Sequence, residues 1–201
     1  MTAQAGDTPS LLAQRKSALR RELRRKRNAI PSENARHAAL MAACHLAGSA
    51  WLRHAHHIAV YLDCGSELGT AALIDALLQE GKQIYVPRIG ARQRMRFVRL
   101  TADTPLRMNR FGITEPAGRQ RQRGARQMDV IVLPLLGFDS SGHRLGTGGG
   151  YYDRALASPR PFRKPLLVGY GYAVQKVAVI PSEAWDVRLD AAATETGIYK
   201  F

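Results

Sequence analysis

Cysteine is nearly absent. Cys44 and Cys64 are the only two among 201 residues, and neither a C-x-x-C pair nor a zinc-like cluster of His and Cys can be drawn from them. That excludes a disulfide framework and a structural zinc site, and it fits a reducing compartment. Long apolar runs are missing as well: none approaches the roughly 18 to 20 residues that span a bilayer. The N-terminus MTAQAGDTPS lacks the basic-then-apolar order of a signal peptide, so the expectation is a soluble, cytoplasmic protein. Aromatic residues make up only 7%, and few of them fall in the arginine-rich segment 88–126, so stacking platforms for single-stranded nucleic acid are not evident. Acidic residues are the last shortage, 16 Asp and Glu against 30 Lys and Arg, for a formal charge of +14 and a pI near 10.6. Such a chain is drawn to polyanions: nucleic acid, anionic membrane, or phosphorylated and carboxylated small molecules. Charge alone does not choose among these, and much of an arginine excess can be plain solvated surface.

What is present suits one medium domain, since 45% hydrophobic residues fill a core without staples. Residues 1–10 read as a disordered lead-in and 11–201 as a single domain, with no internal repeat. A helix is expected from Ser10, as N-cap, to about Ala29, before Pro31. On a helical wheel Leu12, Leu19, Leu23 and Ile30 form one stripe, with Lys16 inside it and Arg20 and Arg27 along one edge. Lys16 and Arg20 therefore travel toward whatever the apolar face packs against. They either reach a buried anion there or snorkel past the stripe.

A second helix is expected from Ser32 to about Ala47, with Trp51 anchoring its end in the core. Next come a strand at Ile58 to Leu62, a loop carrying Glu67, a helix from Gly69/Thr70 through Leu78, and the strand QIYVP. This β-α-β unit predicts a parallel sheet whose loops gather at the carboxyl ends of its strands. MRFVRL reads as an edge strand and GRQRQRGARQ as a flexible loop. DVIVLPLL has the unbroken apolar character of a central parallel strand, and PLLVGYGY is a further buried strand. Of the histidines, His54, His56 and His57 cluster just before a strand and are expected to be exposed.

The stretch from Leu133 to Arg154, LPLLGFDSSGHRLGTGGGYYDR, organises the rest. A buried strand leads into Gly146, Gly148, Gly149 and Gly150, and a helix is expected to start near Gly149 and fade by Ser158. Glycines so placed let backbone N–H groups converge on an anion. A tight strand-to-helix turn would use the same residues. Reading G-x-G-x-x-G from Gly146 puts Tyr151 where a third glycine should stand, so this is no dinucleotide fingerprint, and without G-K-[ST] it is no Walker A loop. Arg144 precedes the glycines and offers a forked donor to phosphate. Asp153 can hold Mg²⁺ through one oxygen or simply stabilise a first helical turn. Asp186 is an isolated carboxylate that alone reads as a cap or turn residue.

The order of these features resembles the 5-formyltetrahydrofolate cyclo-ligase family, also called 5,10-methenyltetrahydrofolate synthetases. The pieces are K-x-x-x-R (Lys16, Arg20), YLDCGSELGT with Glu67, FGITEP, FDSSGHRLGTGGGYYDR, and IPSEAWDVRLD followed by TETG. The resemblance implies a single three-layer α/β/α domain with a mainly parallel central sheet. It implies an enzyme in which ATP phosphorylates the formyl oxygen of 5-formyltetrahydrofolate and N10 closes the ring. The products are 5,10-methenyltetrahydrofolate, ADP and phosphate. Carried over by position, Lys16, Ser17, Ala18, Leu19 and Arg20, with Arg144, Leu145, Gly146, Thr147, Gly148, Gly149, Gly150, Tyr151, Tyr152 and Asp153, would form the ATP site. Lys16 and Arg144 are its catalytic candidates. Asp153 and Asp186 would hold Mg²⁺. Leu62 and Glu67 would line the folate pocket, and Thr147 through Tyr151 would touch the formyl end. Thr147 departs from relatives that often carry a larger or basic residue there, and Gly149 stands in place of the lysine that some relatives have. The expected partner is the small-molecule folate, with no specific nucleic acid or membrane, for a monomer or weak homo-oligomer. The competing readings are a basic nucleic-acid-binding protein and a non-ligase enzyme of related α/β architecture.

Overall fold

A computed structural model describes residues 10–90, 94–108, 112, 114–118, 121–156 and 165–201. Most of the lead-in, Phe111 and Ile113 of FGITEP, the start of the arginine loop and the end of the helix after the glycines thus lie outside the described residues. Helix α1 (Leu11–Asn28) begins where Ser10 accepts a hydrogen bond from the Ala13 amide at 3.2 Å. Helix α2 (Ser32–Ala47) follows directly after Pro31. A short α3 (Ala50–His54) comes next, and within it Leu52 is fully buried while Trp51 is half-buried. Leu52 is the main core anchor at this point, and Trp51 packs against the same core from its edge, with its indole under Lys200 Nζ, 5.4 Å from its ring centre.

Strand β1 (His57–Ala59) leads through a loop to α4 (Ala71–Gln79), then β2 (Gln83–Ile89) and β3 (Met95–Leu100). A hairpin of β4 (Leu106–Met108) and β5 (Thr114–Pro116) precedes β6 (Gln122–Arg123). The remaining strands are β7 (Val130–Pro134), the small hairpin β8 (Gly137–Phe138) and β9 (Arg144–Leu145), β10 (Leu166–Tyr170), β11 (Ala191–Thr194) and β12 (Gly197–Lys200). Helix α5 (Tyr151–Leu156) follows the glycines.

The main sheet has eight strands in the order β12-β11-β10-β7-β1-β2-β3-β6. The five from β11 to β2 are parallel, and antiparallel strands close both edges. Pairing of Phe97 with Arg123 makes β6 the outer neighbour of β3, so MRFVRL is not the edge and the described part of the arginine loop is partly strand. One face of the sheet buries Ile58, Val60, Ile84, Val86, Val130 and Val132 under α2, α3 and α4. The other buries Ala59, Tyr85, Ile131, Leu133 and Leu167 under α5, which contributes Tyr152 and Leu156. Helix α1 packs Leu19 and Leu23 on Leu136, Leu145 and Ile180. This places α1 against the hairpin that leads into the glycine loop.

After β1 the chain moves to β2 on one side; after β7 it moves to β10 on the other. The reversal of direction opens a crevice beyond the carboxyl ends of β1 and β7, where α/β sheets bind ligands. Among the described residues no helix is long and apolar enough to cross a membrane.

Candidate active site

That crevice is a cavity of about 1400 Å³. Tyr61 and Leu62 line it from the end of β1, Pro134 and Leu135 from the end of β7, and Gly146 to Arg154 from the loop and α5. Lys16, Arg20 and Arg27 enter from α1, and Glu183, Trp185 and Asp186 from the C-terminal loop. Residues 12, 13, 16, 20 and 27 share one face of α1, as a period of 3.6 requires. For the same reason Ser17, Ala18 and Leu19 do not line the cavity: Ser17 Oγ accepts from Arg21 at 3.3 Å, Ala18 is exposed, and Leu19 packs into the core beside Leu23. Only the two ends of that expected segment, Lys16 and Arg20, face the site.

Every cation at the glycine-loop end is already engaged. Lys16 is buried, with Nζ 2.8 Å from Glu183 Oε2 and 2.7 Å from Asp186 Oδ2. Burial works against its ammonium, but the two carboxylates outweigh it and hold Lys16 above the ordinary lysine range. Arg20 Nε donates to the Gly146 carbonyl at 2.9 Å, and Arg154 to the Gly149 carbonyl at 2.9 Å. Arg144, with its side chain 6% exposed, donates to Asp153 Oδ1 at 2.8 Å and lies over the Tyr152 ring. The three arginines thus pull loop carbonyls and one carboxylate outward.

Gly148 at φ +108° and Gly150 at φ +62° supply the backbone turns that side-chain-bearing residues rarely adopt. Among the described residues nothing accepts from the amides of Thr147, Gly148, Gly149 or Gly150. Free amides beside fixed cations form a cradle for a tetrahedral anion. Thr147 is exposed at the rim, and Leu145 is buried beneath it.

The carboxylates fit a hard cation only with help from a ligand. Asp153 keeps Oδ2 and Asp186 keeps Oδ1 without a described partner, and both residues border the cavity. Among the described residues no group of three or more His, Cys, Asp or Glu could hold a metal. Mg²⁺ takes one or two protein carboxylates and completes its octahedron with phosphates and water, so this donor set suits such an ion. The histidines do not contribute: His54 and His56 are exposed, while His57 is half-buried, 3.6 Å from Asp129.

The other wall is built by the loop after β1, where Asp63 and Cys64 are exposed and Glu67 is half-buried. Glu67 Oε2 accepts from the Cys64 amide at 3.1 Å. Burial pushes its carboxyl up, the Cys64 amide and Arg27 pull it down, and Asp63 adds to the rise. Tyr61 is buried and Tyr152 half-buried nearby, and desolvation drives both hydroxyls far above the usual tyrosine range. Leu62 supplies an apolar contact surface. Arg27, 8% exposed, was legible only as an edge residue of the α1 stripe; the wheel gives its direction and not its burial.

Fold and crevice together define an α/β protein with loop amides and engaged cations at one end of a cavity and the half-buried Glu67 carboxylate at the other. The model of the 5-formyltetrahydrofolate cyclo-ligase family matches residues 12–195. The chain belongs to that family. It is 34% identical over 179 residues to the 5-formyltetrahydrofolate cyclo-ligase of Haemophilus influenzae, covering 88% of this chain and 95% of the relative. It is 33% identical over 182 residues to the Escherichia coli K12 enzyme, covering 89% of this chain and the whole of the relative. Among solved structures, Aquifex aeolicus 5,10-methenyltetrahydrofolate synthetase superposes with a TM-score of 0.81 at 29% identity, covering 92% of each chain. A Mycoplasma pneumoniae synthetase shares the fold, with a TM-score of 0.72 at 24% identity over 90% of this chain and 98% of that one.

Proposed function

We propose that the protein converts 5-formyltetrahydrofolate to 5,10-methenyltetrahydrofolate with ATP and Mg²⁺. The observation that carries this reading is the juxtaposition in one switch-point crevice of free glycine amides, three fixed cations and two half-used carboxylates beside the Leu62 and Glu67 wall. Lys16, Arg20 and Arg144 hold the phosphates, and the loop amides stabilise the transferred phosphoryl group. Asp153 and Asp186 would hold Mg²⁺, which when bound would neutralise charge on the phosphates, and Glu67 accepts hydrogen bonds from the pterin nitrogens. Thr147 through Tyr151 border the formyl end.

Phosphorylation of the formyl oxygen turns a poor leaving group into a good one. N10 then attacks the formyl carbon and loses its proton; the carbon–oxygen bond breaks, and phosphate leaves with the oxygen. Lys16 reaches a phosphate by exchanging Asp186 and Glu183 for phosphate oxygens. The test is absorbance of the methenyl product on adding 5-formyltetrahydrofolate to the purified protein. Signal only with both ATP and Mg²⁺ supports the reading; a folded protein that yields none under those conditions contradicts it.

A further inference from the structure

Arg27 is the one buried cation on the cavity face of α1 for which the reaction above has no task. Its Nε donates to Ser66 Oγ at 3.0 Å, and Ser66 Oγ donates to Asn28 Oδ1 at 2.6 Å. Among the described residues nothing accepts from its two Nη groups, and no carboxylate oxygen lies within 4.0 Å of it. The residue as a whole is 8% exposed, and its guanidinium is fixed in place without a counter-ion where it borders the cavity.

Glu67 borders the same cavity from the same loop that carries Ser66. Its Oε2 is oriented by the Cys64 amide, and its Oε1 has no described partner. Arg27 and Glu67 feel each other's charge without closing into an ion pair. A forked donor and a carboxylate acceptor thus stand side by side, each held by its neighbours and each open to a ligand.

Resting on the folate reading of this wall, we propose that Arg27 is a specificity-determining residue that reads, together with Glu67, the 2-amino-4-oxo edge of the pterin. That edge presents two donors, the 2-amino group and N3–H, followed by one acceptor, O4. A carboxylate matches the two donors and keeps a lone pair for the Cys64 amide. The guanidinium donates to O4, and the hydrogen bond from Nε to Ser66 leaves the Nη groups for that purpose. A 4-amino pteridine places a donor where O4 stands. It would leave Arg27 facing hydrogen atoms in a desolvated site, the arrangement that discriminates most strongly between close analogues.

The test is equilibrium titration, without ATP, of the full chain with 5-formyltetrahydrofolate and with a 4-amino pteridine analogue of folate. The wild type prefers the 4-oxo ligand. Arg27→Met weakens 5-formyltetrahydrofolate binding by about tenfold or more and leaves the 4-amino ligand unchanged or tighter, so the preference narrows to what the unprotonated N3 of the 4-amino ring costs against Glu67. Arg27→Lys restores part of it, since a point charge replaces the fork. Should Arg27→Met fail to fold, Arg27→Lys and Ser66→Ala carry the test, each with a reduced preference. An unchanged ratio of the two affinities, or equal weakening of both ligands, overturns the role of Arg27. Glu67→Gln separates the two levels: undiminished binding of 5-formyltetrahydrofolate by that variant overturns the folate reading of the wall itself. Weakened binding by Glu67→Gln beside an unchanged ratio in Arg27→Met overturns only the inference about Arg27.

Discussion

At the glycine-loop end of the cavity Lys16, Arg20, Arg144 and Arg154 all have protein partners, whereas on the wall after β1 Arg27 and Glu67 stand near each other unpaired. The first arrangement holds Lys16 and Arg144 in ion pairs and Arg20 and Arg154 on loop carbonyls, contacts that the proposed polyphosphate and metal would have to rearrange. The second is set in advance, with a hydrogen bond fixing each group and no competing charge to displace. On the proposed function, polyanion binding would involve partner exchange, while recognition of the neutral ring system would use positions already in place. The difference has a physical root: phosphates carry enough charge to compete with a carboxylate for an ammonium, and a pterin edge does not.

Substitutions at the exchanging end should have the largest effect. Asp153→Asn removes a metal-binding charge while keeping an acceptor for the buried Arg144, and turnover is expected to fall by about two to three orders of magnitude. A folded Asp153→Asn protein with wild-type turnover would remove Asp153 from the metal site. Asp153→Ala is the harsher form, because it leaves Arg144 uncompensated, so melting curves should accompany its kinetics. Lys16→Met should weaken ATP binding by about tenfold or more while 5-formyltetrahydrofolate affinity stays within about twofold, since the ammonium contributes one charge-assisted contact. Equal loss for both ligands would blur the division between the two ends.

The preset wall is expected to show itself in pH. Burial raises the Glu67 carboxyl above its ordinary 4.5. Between that value and the folded one, the native state holds a proton that the unfolded chain has lost. This contribution to stability is full below 4.5 and is lost as pH rises through the folded value. Folate affinity runs the opposite way, because only the ionised carboxylate accepts both pterin donors, and it should climb across the same window. Arg27, Asp63, Tyr61 and Tyr152 are the charged or titratable groups that face Glu67 there. Glu67→Gln should flatten that limb of an affinity profile; a limb that persists belongs to another group. The smallest functional effect is expected beneath both ends. At Gly169 an added Cβ would meet Leu135 Cδ2 at 2.5 Å and Leu189 Cδ1 at 2.7 Å, so Gly169→Ala should cost about 1–3 kcal/mol of stability. Calorimetric melting would show that loss, with the affinities for both ligands little changed.

The legible parts of this molecule are those with a local pattern. The stripe of α1 placed Lys16 and Arg20 on the cavity, unbroken apolar runs placed β7 and β10, and the glycines placed the turn before α5. What failed to show had no local signature. Ala191, Ala192 and Ala193 form a fully buried strand because α2 packs closely over it, but alanine is a poor strand former, and neither β11 nor β12 was read. The link between Lys16 and Asp186 spans 170 positions, and sequence spacing offers no hint of it. Ser17 to Leu19 were included as a contiguous run, although helical geometry turns them away from the cavity. Arg27 was visible on the stripe edge, and only burial distinguishes it from the solvated arginines beside it.

The central claim is that one end of the cavity serves the nucleotide and the other the folate. It is tested most directly by calorimetric titration of Lys16→Met and Glu67→Gln, each with ATP·Mg²⁺ and with 5-formyltetrahydrofolate. The account predicts that Lys16→Met loses affinity for the nucleotide alone and Glu67→Gln for the folate alone. Loss of the same ligand in both variants, or of the opposite one in each, would contradict it.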